Sequence, residues 1–147
     1  MSNYIVVMKT NHIISLVSRI RDKAGRLIIH ELQARKISGL APSHGDILML
    51  LFQSDTVSMR EIAERIGRDK STVTALIKKL IDFGYVQKGP DQNDSRVTLV
   101  TLTGAGRALK KDFDEISATL LQRVYRGFSD KEKEVVVHGL ERINGNL

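Results

Sequence analysis

The sequence contains no cysteine among its 147 residues. This absence excludes disulfide bonds, thiolate metal sites, cysteine nucleophiles and thiol-based sensing of oxidants. Long hydrophobic runs are also missing, since the longest, such as Ile47 to Phe52, are far shorter than a membrane span. The first residues, MSNYIVVMKTNH, show no basic segment followed by a long apolar one. We therefore expect a cytoplasmic protein that has no membrane partner.

Sequence motifs of catalysis are equally scarce. The chain has no G-x-S-x-G, no P-loop and no dinucleotide fingerprint, and its segment GAGRAL lacks the spacing of a phosphate-binding loop. We interpret Gly104 and Gly106 in that segment as hinge or cap residues. The sequence thus favours a protein that is not an enzyme and that uses no cofactor.

The histidines are too scattered along the sequence to form a local zinc site. They are His12, His30, His44 and His138. Neither an H-x-x-x-H pair nor a cysteine partner is present, so the sequence predicts no metal ligands. A zinc-responsive regulator, with a site assembled in space from distant residues, remains an alternative.

Positive charge is in excess. The chain has 23 Lys and Arg against 17 Asp and Glu, a net charge of +6. This balance favours polyanionic partners, although it also occurs in proteins that bind none. With 41% hydrophobic residues, a chain of this length can bury one sizeable core. A single domain is therefore expected.

Apolar residues recur at helical spacing towards both ends of the chain. One stripe runs from Ile13 to Leu32 and a second from Leu109 to Phe128, and each predicts a long amphipathic helix. Ser129 and Glu132 form a capping box ahead of a last helix. A short, strongly apolar helix is predicted over Ile47 to Phe52, and its composition indicates burial.

The middle of the chain predicts two short helices joined by a tight turn. Ser58 and Glu61 form a capping box, Gly67 ends the first helix, and Asp69 is placed to cap the second. The segments YVQK and VTLVTL then predict two strands around the loop GPDQNDSR. The expected fold class is mainly α with a small β-hairpin wing (α+β), a winged helix-turn-helix flanked by N- and C-terminal dimerisation helices.

The second short helix, in the segment GRDKSTVTALIKKL, has two chemically different sides. Its large apolar residues fall on one side, while hydroxyls and lysines fall on the other. Short side chains allow close approach to a surface, hydroxyls donate and accept hydrogen bonds, and lysines suit phosphates. We therefore predict that the polar side enters the major groove of double-stranded DNA. With nearby basic residues, the predicted contacts are Arg60, Arg68, Lys70, Ser71, Thr72, Thr74, Ala75, Lys78, Lys79, Lys88 and Arg96.

A winged helix that docks another protein is the competing interpretation, because a Ser/Thr/Lys face is often only solvated. The two interpretations differ in their salt dependence. DNA binding releases counterions, so its affinity falls steeply as salt rises, whereas protein docking predicts little change.

The predicted wing carries the most specific motif. The segment DSRVTLVTLT fits the pattern D-x-R-x-x-x-x-x-L-T at Asp94, Arg96, Leu102 and Thr103. On this motif, and over nearly its whole length, the sequence resembles the MarR family of bacterial and archaeal transcriptional regulators. The resemblance implies that the helix over residues 70–82 enters the major groove and that Arg96 reaches the minor groove. It also implies that Asp94 belongs to the DNA-binding residues and helps to hold the wing in shape.

The resemblance further implies an obligate homodimer in which the first helix and the last two helices interlock. Residues 1–147 are then a single MarR-like domain, with the winged helix-turn-helix at 40–103 and dimerisation helices at 8–36 and 104–147. The terminal helices agree, because they carry more apolar surface than a small core can cover. A two-fold dimer predicts a pseudo-palindromic operator with half-sites about one helical turn apart. Repression by occlusion of a promoter is common in the family.

The resemblance also implies a small anionic or phenolic effector that binds between the dimerisation helices and the winged helix. Four polar residues are candidates for that crevice: Arg19, Arg26, His44 and Asp46. A capping role is the simpler interpretation of His44, because polar residues near helix starts often cap. Family members often carry a pair of arginines where this chain has Lys88 and Gly89, and another basic residue where it has Ser95, so fewer phosphate contacts are expected.

Overall fold

The computed structural model describes residues 10–147, and this part of the chain is mainly helical with a small β-sheet. The helices are α1 (Ile13–Ala34), α2 (Pro42–Ser54), α3 (Met59–Ile66), α4 (Lys70–Asp82), α5 (Gly104–Ala108), α6 (Lys110–Val124) and α7 (Asp130–Gly145). The strands are β1 (Thr56–Ser58), β2 (Val86–Pro90) and β3 (Thr98–Leu102). The predicted fold class is confirmed. Predictions for residues 1–9, including the absence of a leader and the start of the 8–36 segment, lie outside the described residues.

The two short helices of the helix-turn-helix begin at the predicted caps. The Ser58 side chain accepts a hydrogen bond from the backbone N–H of Glu61 at 3.1 Å, and Gly67 ends α3 in the left-handed conformation. The reciprocal half of the predicted capping box does not form. The Glu61 carboxylate instead pairs with Arg65 one turn later, at 3.3 Å, because an i,i+4 partner is equally close on the helix surface.

The hydrophobic core lies between α2, the helix-turn-helix and the sheet. α2 is its centre, with Ile47, Leu48 and Leu51 fully buried. α3, α4, the sheet and α6 also contribute buried residues to it. Among residues 10–147, the other large side chains that are fully buried are Leu32, Ile62, Val73, Ile77, Leu80 and Val100. This packing fixes α4 against α2 and leaves its other side outward.

The sheet has three antiparallel strands in the order β1-β3-β2, so the predicted two-stranded hairpin was incomplete. β2 pairs with β3 from Val86 opposite Leu102 to Pro90 opposite Thr98. β1 pairs on the other side of β3, with Thr56 opposite Thr101. A three-residue strand shows too little alternation to be recognised in the sequence, and it forms only because β3 offers an unpaired edge.

Three helix boundaries differ from the sequence prediction. α2 begins at Pro42, well before Ile47, because proline is well suited to the first turn of a helix. The predicted helix that starts near Leu109 is preceded by a separate short helix, α5. The predicted helix corresponds to α6 and ends at Val124, so Phe128 lies in the turn before α7. The Phe128 ring packs edge-on against Tyr125.

Thr103 joins the end of the sheet to α5. Its hydroxyl donates a hydrogen bond to the carbonyl oxygen of Gly84 and accepts one from the N–H of Gly106 at 3.1 Å. Gly106 is buried, and a Cβ at that position would overlap the carbonyl oxygen of Tyr85. The predicted cap or hinge role of this glycine is therefore better described as a close approach of two backbone segments, which a side chain would prevent.

The segment between α1 and α2 contacts the end of α4. Gly39 has φ +84, and a Cβ there would lie 2.8 Å from Cζ of Phe83, the residue that follows α4. The Phe83 ring stacks on Tyr85 with 5.9 Å between centroids. Any other residue at position 39 would be strained at this φ and would bring its Cβ against the Phe83 ring, so glycine is favoured here.

Arg35 connects the end of α1 with α6. Its guanidinium lies 2.6 Å from the Glu31 carboxylate, and 3.5 and 3.6 Å from those of Asp112 and Glu115. The surrounding carboxylates, Glu31 first, raise the pKa of Arg35. The first and sixth helices are thereby held together.

The terminal helices expose apolar side chains in one chain. On α1, Ile14 and Ile20 are 64% and 53% exposed, and on α7, Val135 and Leu140 are 60% and 45% exposed. Burial of apolar area is the main favourable term in association, and contiguous exposed patches mark contact surfaces. Within residues 10–147, no helix is both long enough and apolar enough to cross a membrane.

Candidate nucleic-acid interface

The α4 helix presents the surface that the sequence predicts for DNA. Its Val73, Ile77 and Leu80 side chains are buried against the core. Of the predicted contact residues on α4, Thr72 is half-buried and the others are exposed: Lys70, Ser71, Thr74, Ala75, Lys78 and Lys79. The amphipathic pattern thus separates the two sides of α4 as expected, and it leaves the hydroxyls and lysines in solvent.

The start of α4 is organised by Asp69. Its carboxylate accepts hydrogen bonds from the Thr72 N–H at 2.7 Å and from the Ser71 hydroxyl at 2.8 Å. These bonds, that of Thr72 first, hold the pKa of Asp69 below its ordinary value. One turn later, the Thr74 hydroxyl donates to the carbonyl oxygen of Lys70 at 2.8 Å. The side chain of Asp69 therefore fixes both the helix end and the orientation of Ser71.

These bonds determine what the hydroxyls of α4 can recognise. Ser71 and Thr74 both donate their only hydroxyl proton within the chain, to Asp69 and to Lys70. Each oxygen retains lone pairs, so both side chains offer acceptors to an approaching surface. Exposed amino groups of adenine and cytosine are the matching donors in the major groove.

Two of the predicted cationic contacts are paired within their own helices. Lys78 lies 3.1 Å from Asp82, and Arg60 lies 3.1 Å from Glu64. Both pairs are solvent-exposed, and exposed pairs of this kind are weak. The cations can therefore exchange these carboxylates for phosphates at little cost.

Lys79 lies on a different side of α4 from Lys78. Its ammonium group is 6.0 Å from the centroid of the Phe83 ring. It is also close enough to His44 to help lower the pKa of that imidazole. Lys79 is thus directed towards the start of α2, whereas the other predicted residues of α4 are on or near the outward face.

The tip of the wing is shaped by Asp94 and Arg96. The Arg96 guanidinium pairs with the Asp94 carboxylate in a bidentate arrangement, at 3.0 and 3.1 Å, and the Arg96 N–H also donates to it. This side-chain bond raises the pKa of Arg96 and, with the backbone bond, lowers that of Asp94. Arg96 remains 88% exposed. The arginine is therefore held in a defined direction while its charge stays accessible.

Three of the predicted cations meet in one groove. A cavity of about 490 Å³ between α3, α4 and the start of β3 is lined by Arg60, Lys70 and Arg96, over an apolar floor that includes Met59 and Val73. The helix-turn-helix and the wing are thus one continuous surface. Lys88 is exposed on β2, opposite Val100 of β3, and Arg68 is exposed in the turn before α4.

The predicted effector residues do not meet in a single pocket of one chain. Arg26 lines a groove with Pro42 and Ser43, where α1 faces the start of α2. Asp46 lines another hollow, with Arg65 on α3, and Arg19 is exposed on α1. Surrounding protein atoms desolvate the carboxylate of Asp46 enough to raise its pKa, although the residue as a whole is exposed.

His44 acts as a cap in this structure. It is 4% exposed, and its Nδ1 accepts a hydrogen bond from the Ala41 N–H at 2.9 Å. Burial, reinforced by Lys79, lowers the pKa of the imidazole. The simpler interpretation of the sequence matches this geometry. Among residues 10–147, no group of three or more His, Cys, Asp or Glu side chains is arranged to hold a metal ion.

Sequence reasoning missed one side-chain pair next to the interface. Arg107 of α5 binds the carboxylate of Asp55, which follows α2, with two contacts of 2.7 and 3.0 Å. The residues are 52 positions apart in the sequence, and neither belongs to a motif. Only the positive φ of Asp55, which sequence alone does not show, marks the position as unusual.

A comparison with family models finds a match in the middle of the chain. Residues 40–98 match the model described as the MarR family. This part of the chain is therefore similar to the MarR family. One relative, the HTH-type transcriptional regulator YdgJ of Bacillus subtilis, is 26% identical over 110 residues, 75% of this chain and 67% of the relative.

Solved structures share the fold. A MarR mutant from E. coli complexed with operator DNA matches with a TM-score of 0.80 and 19% identity, over 93% of this chain and 96% of that chain. BpsR of Bordetella bronchiseptica, described with regulation of its DNA binding by 6-hydroxynicotinic acid, matches with a TM-score of 0.76 and 22% identity, over 88% and 91%. The MarR resemblance inferred from the wing motif is confirmed.

Proposed function

We propose that this protein is a sequence-specific DNA-binding transcriptional regulator of the MarR family. The observation that carries the proposal is the continuous surface on which the outward side of α4 and Arg96 of the wing flank one groove. A helix fits a major groove, and an exposed arginine on a neighbouring wing can reach the adjacent minor groove. No residue is assigned a catalytic role, and the site of action proposed is the cytoplasm.

The two parts of the surface contribute differently to recognition. Ser71 and Thr74 offer hydroxyl acceptors to base amino groups, because their protons are used within the chain. Lys78, Arg60 and Lys88 supply charge for phosphates, which positions the protein without reading sequence. The proposed contacts are those predicted from the sequence, namely Arg60, Arg68, Lys70, Ser71, Thr72, Thr74, Ala75, Lys78, Lys79, Lys88, Asp94 and Arg96.

The proposed binding species is a homodimer. The apolar sides of α1 and α7 are exposed in one chain, and covering them with a second copy removes that area from water. A two-fold dimer presents two α4 helices to a pseudo-palindromic operator, with half-sites about one turn of DNA apart. Occupation of such a site within a promoter would repress transcription by occluding it.

Release by a small anionic or phenolic effector is proposed for the groove where α1 meets α2. Arg26 lines that groove and supplies positive charge. The regulation of BpsR by 6-hydroxynicotinic acid is a precedent in a structural relative. Arg19, His44 and Asp46 lie elsewhere in one chain, so they would contribute only through the partner copy or indirectly.

The decisive experiment is fluorescence anisotropy with the DNA upstream of the protein's own gene, titrated against salt and against an unrelated duplex of equal length. Selective binding is expected, with a slope of log affinity against log salt of about −0.9 for each phosphate neutralised. Feeble, equal binding to both duplexes, or binding that ignores salt, would instead support a protein-docking winged helix.

Arg96→Ala tests the wing in the same assay. Loss of a groove-inserted arginine is expected to weaken operator binding by about 5- to 150-fold. Arg123→Ala, which removes one positive charge from α6, is the control and should bind nearly as the parent does. If Arg96→Ala binds operator DNA as tightly as the parent, the wing does not enter the groove.

A further inference from the structure

Asp55 occupies the junction between α2 and the sheet. It has φ +61 and ψ −39, which lies outside the left-handed helical region and near the rare classic γ-turn conformation. Its N–H donates to the carbonyl oxygen of Leu51 at 2.6 Å, and its own carbonyl oxygen accepts from the N–H of Leu102 at 3.1 Å. Through its backbone alone, Asp55 thus connects the end of α2 to the end of β3.

The side chain of Asp55 adds a third element to this junction. Its carboxylate accepts hydrogen bonds from Nε and Nη2 of Arg107 at 2.7 and 3.0 Å, so α5 is attached at the same point. The side-chain bond to Arg107 lowers the pKa of Asp55. Exposed ion pairs are usually weak, but bidentate geometry between groups that are otherwise fixed is the favourable case. One step further, the hydroxyls of Thr56 and Thr101 lie 2.9 Å apart and join β1 to β3.

This junction is the base of the wing. β3 is the central strand of the sheet, and Arg96 precedes it at the tip. Six residues of extended chain span about 20 Å, so a tilt of about 10° at the base would move the tip by roughly 3 Å. A displacement of that size is enough to break direct hydrogen bonds, which span only about 2.7–3.2 Å.

We propose that Asp55 and Arg107 are positioning residues for DNA recognition, which set the angle of the wing so that Arg96 and α4 engage one operator together. The inference rests on the proposed DNA-binding function. Arg107 is assigned no contact with DNA. Its positive charge pairs with Asp55 at the base of the wing, and it affects DNA binding through the position of Arg96.

A double-mutant cycle on operator binding tests the proposal. Arg107→Gln should weaken operator binding by about tenfold, whereas the control Lys110→Gln should change it less than about twofold. The control removes the same charge from the neighbouring helix, where Lys110 pairs only locally with Asp114. Asp55→Asn, which keeps the side-chain shape and removes the negative charge, should reproduce the effect of Arg107→Gln.

The coupling to Arg96 separates positioning from simple charge loss. In the Arg107→Gln background, Arg96→Ala should weaken operator binding by less than about threefold. Arg96 on a displaced wing tip already contributes little to binding. An unchanged cost of Arg96→Ala in that background would overturn the proposal, even if Arg107→Gln alone weakens binding. Circular dichroism at the assay temperature checks that each variant is folded.

A measurement without DNA keeps this inference separate from the proposed function. Amide hydrogen exchange in β1 and β3 should accelerate in Arg107→Gln and Asp55→Asn but not in Lys110→Gln, since local opening reports the stability of the wing base. If the parent fails to bind any operator while exchange accelerates as expected, the DNA-binding function is wrong and the structural junction stands. Unchanged exchange in both variants would overturn the junction itself.

Discussion

At the scale of single residues, the interface depends on side chains that are already engaged before any DNA arrives. The Asp69 carboxylate accepts a hydrogen bond from the Ser71 hydroxyl. The Asp94 carboxylate accepts hydrogen bonds from both the backbone and the side chain of Arg96. Fixing a rotamer in advance reduces the entropy lost on binding. The sequence predicted Asp69 as a cap, but not that the same carboxylate would decide whether Ser71 donates or accepts.

His44 makes the free energy of unfolding depend on pH. Burial, with a contribution from Lys79, lowers the pKa of His44 below its ordinary value of 6.5 in the folded chain. The unfolded chain therefore binds more protons, and stability present above pH 6.5 is lost as pH falls through the lowered pKa. The groups around it add to this effect, since a proton on Nδ1 would face the Ala41 N–H and the positive end of α2.

The check is a series of thermal melts between pH 7.5 and about 5, a window centred near the ordinary histidine pKa. The parent should lose stability across that window, and His44→Asn, whose side chain can accept the same cap bond without titrating, should lose less. His30→Asn, at an exposed position of α1, is the matched control. If the melting temperatures of the parent and His44→Asn fall equally with pH, His44 does not cause the pH dependence of stability.

At the scale of elements, the corner between the sheet and α5 depends on one close approach. A Cβ at Gly106 would overlap the carbonyl oxygen of Tyr85, whereas one at Gly104, two residues earlier, would meet nothing within 4 Å. Gly106→Ala should lower the free energy of unfolding by about 1–3 kcal/mol or more, because backbone must move to admit the methyl group. Gly104→Ala should be neutral or slightly stabilising, as expected in an open helical position. Equal denaturation midpoints for the two variants would contradict this account.

Elements with strong periodicity or caps could be predicted from the sequence, and those created by tertiary contacts could not. α3 and α4 are capped by Ser58 and Asp69 as predicted, because a cap is a local interaction between neighbouring residues. β1 was missed because its three residues become a strand only by pairing with β3. The Asp55–Arg107 pair was missed for the same reason, since nothing within either local segment indicates the partner. The predicted DNA contacts stay predictions, although the surface that they share is present.

At the scale of the whole molecule, the exposed apolar sides of α1 and α7 support the proposed homodimer as the form that binds DNA. Leu140→Glu inserts a charge into the apolar side of α7 and is expected to shift the protein to a monomer, because an unpaired charge is costly to bury. His138→Glu adds the same charge to another side of α7 and should leave the dimer intact. Analytical ultracentrifugation measures both. A Leu140→Glu dimer as tight as the parent would place the interface elsewhere.

Operator affinity in those two variants follows from the symmetry of the complex. A monomer can occupy only one half-site, so it forfeits the gain in effective concentration that comes from linking two contacts. Leu140→Glu is therefore expected to bind a full operator about as weakly as the parent binds an isolated half-site. Tight binding of the full operator by a verified monomer would show that one subunit suffices.

The contact between Gly39 and Phe83 has a consequence for how such a dimer measures DNA. The segment that leaves α1 rests against the aromatic ring at the end of α4, with no side chain between them. A rotation of α1 must therefore either open this contact or carry α4 with it. In the proposed dimer, the contact between Gly39 and Phe83 would therefore couple the placement of α1 to the spacing between the two recognition helices.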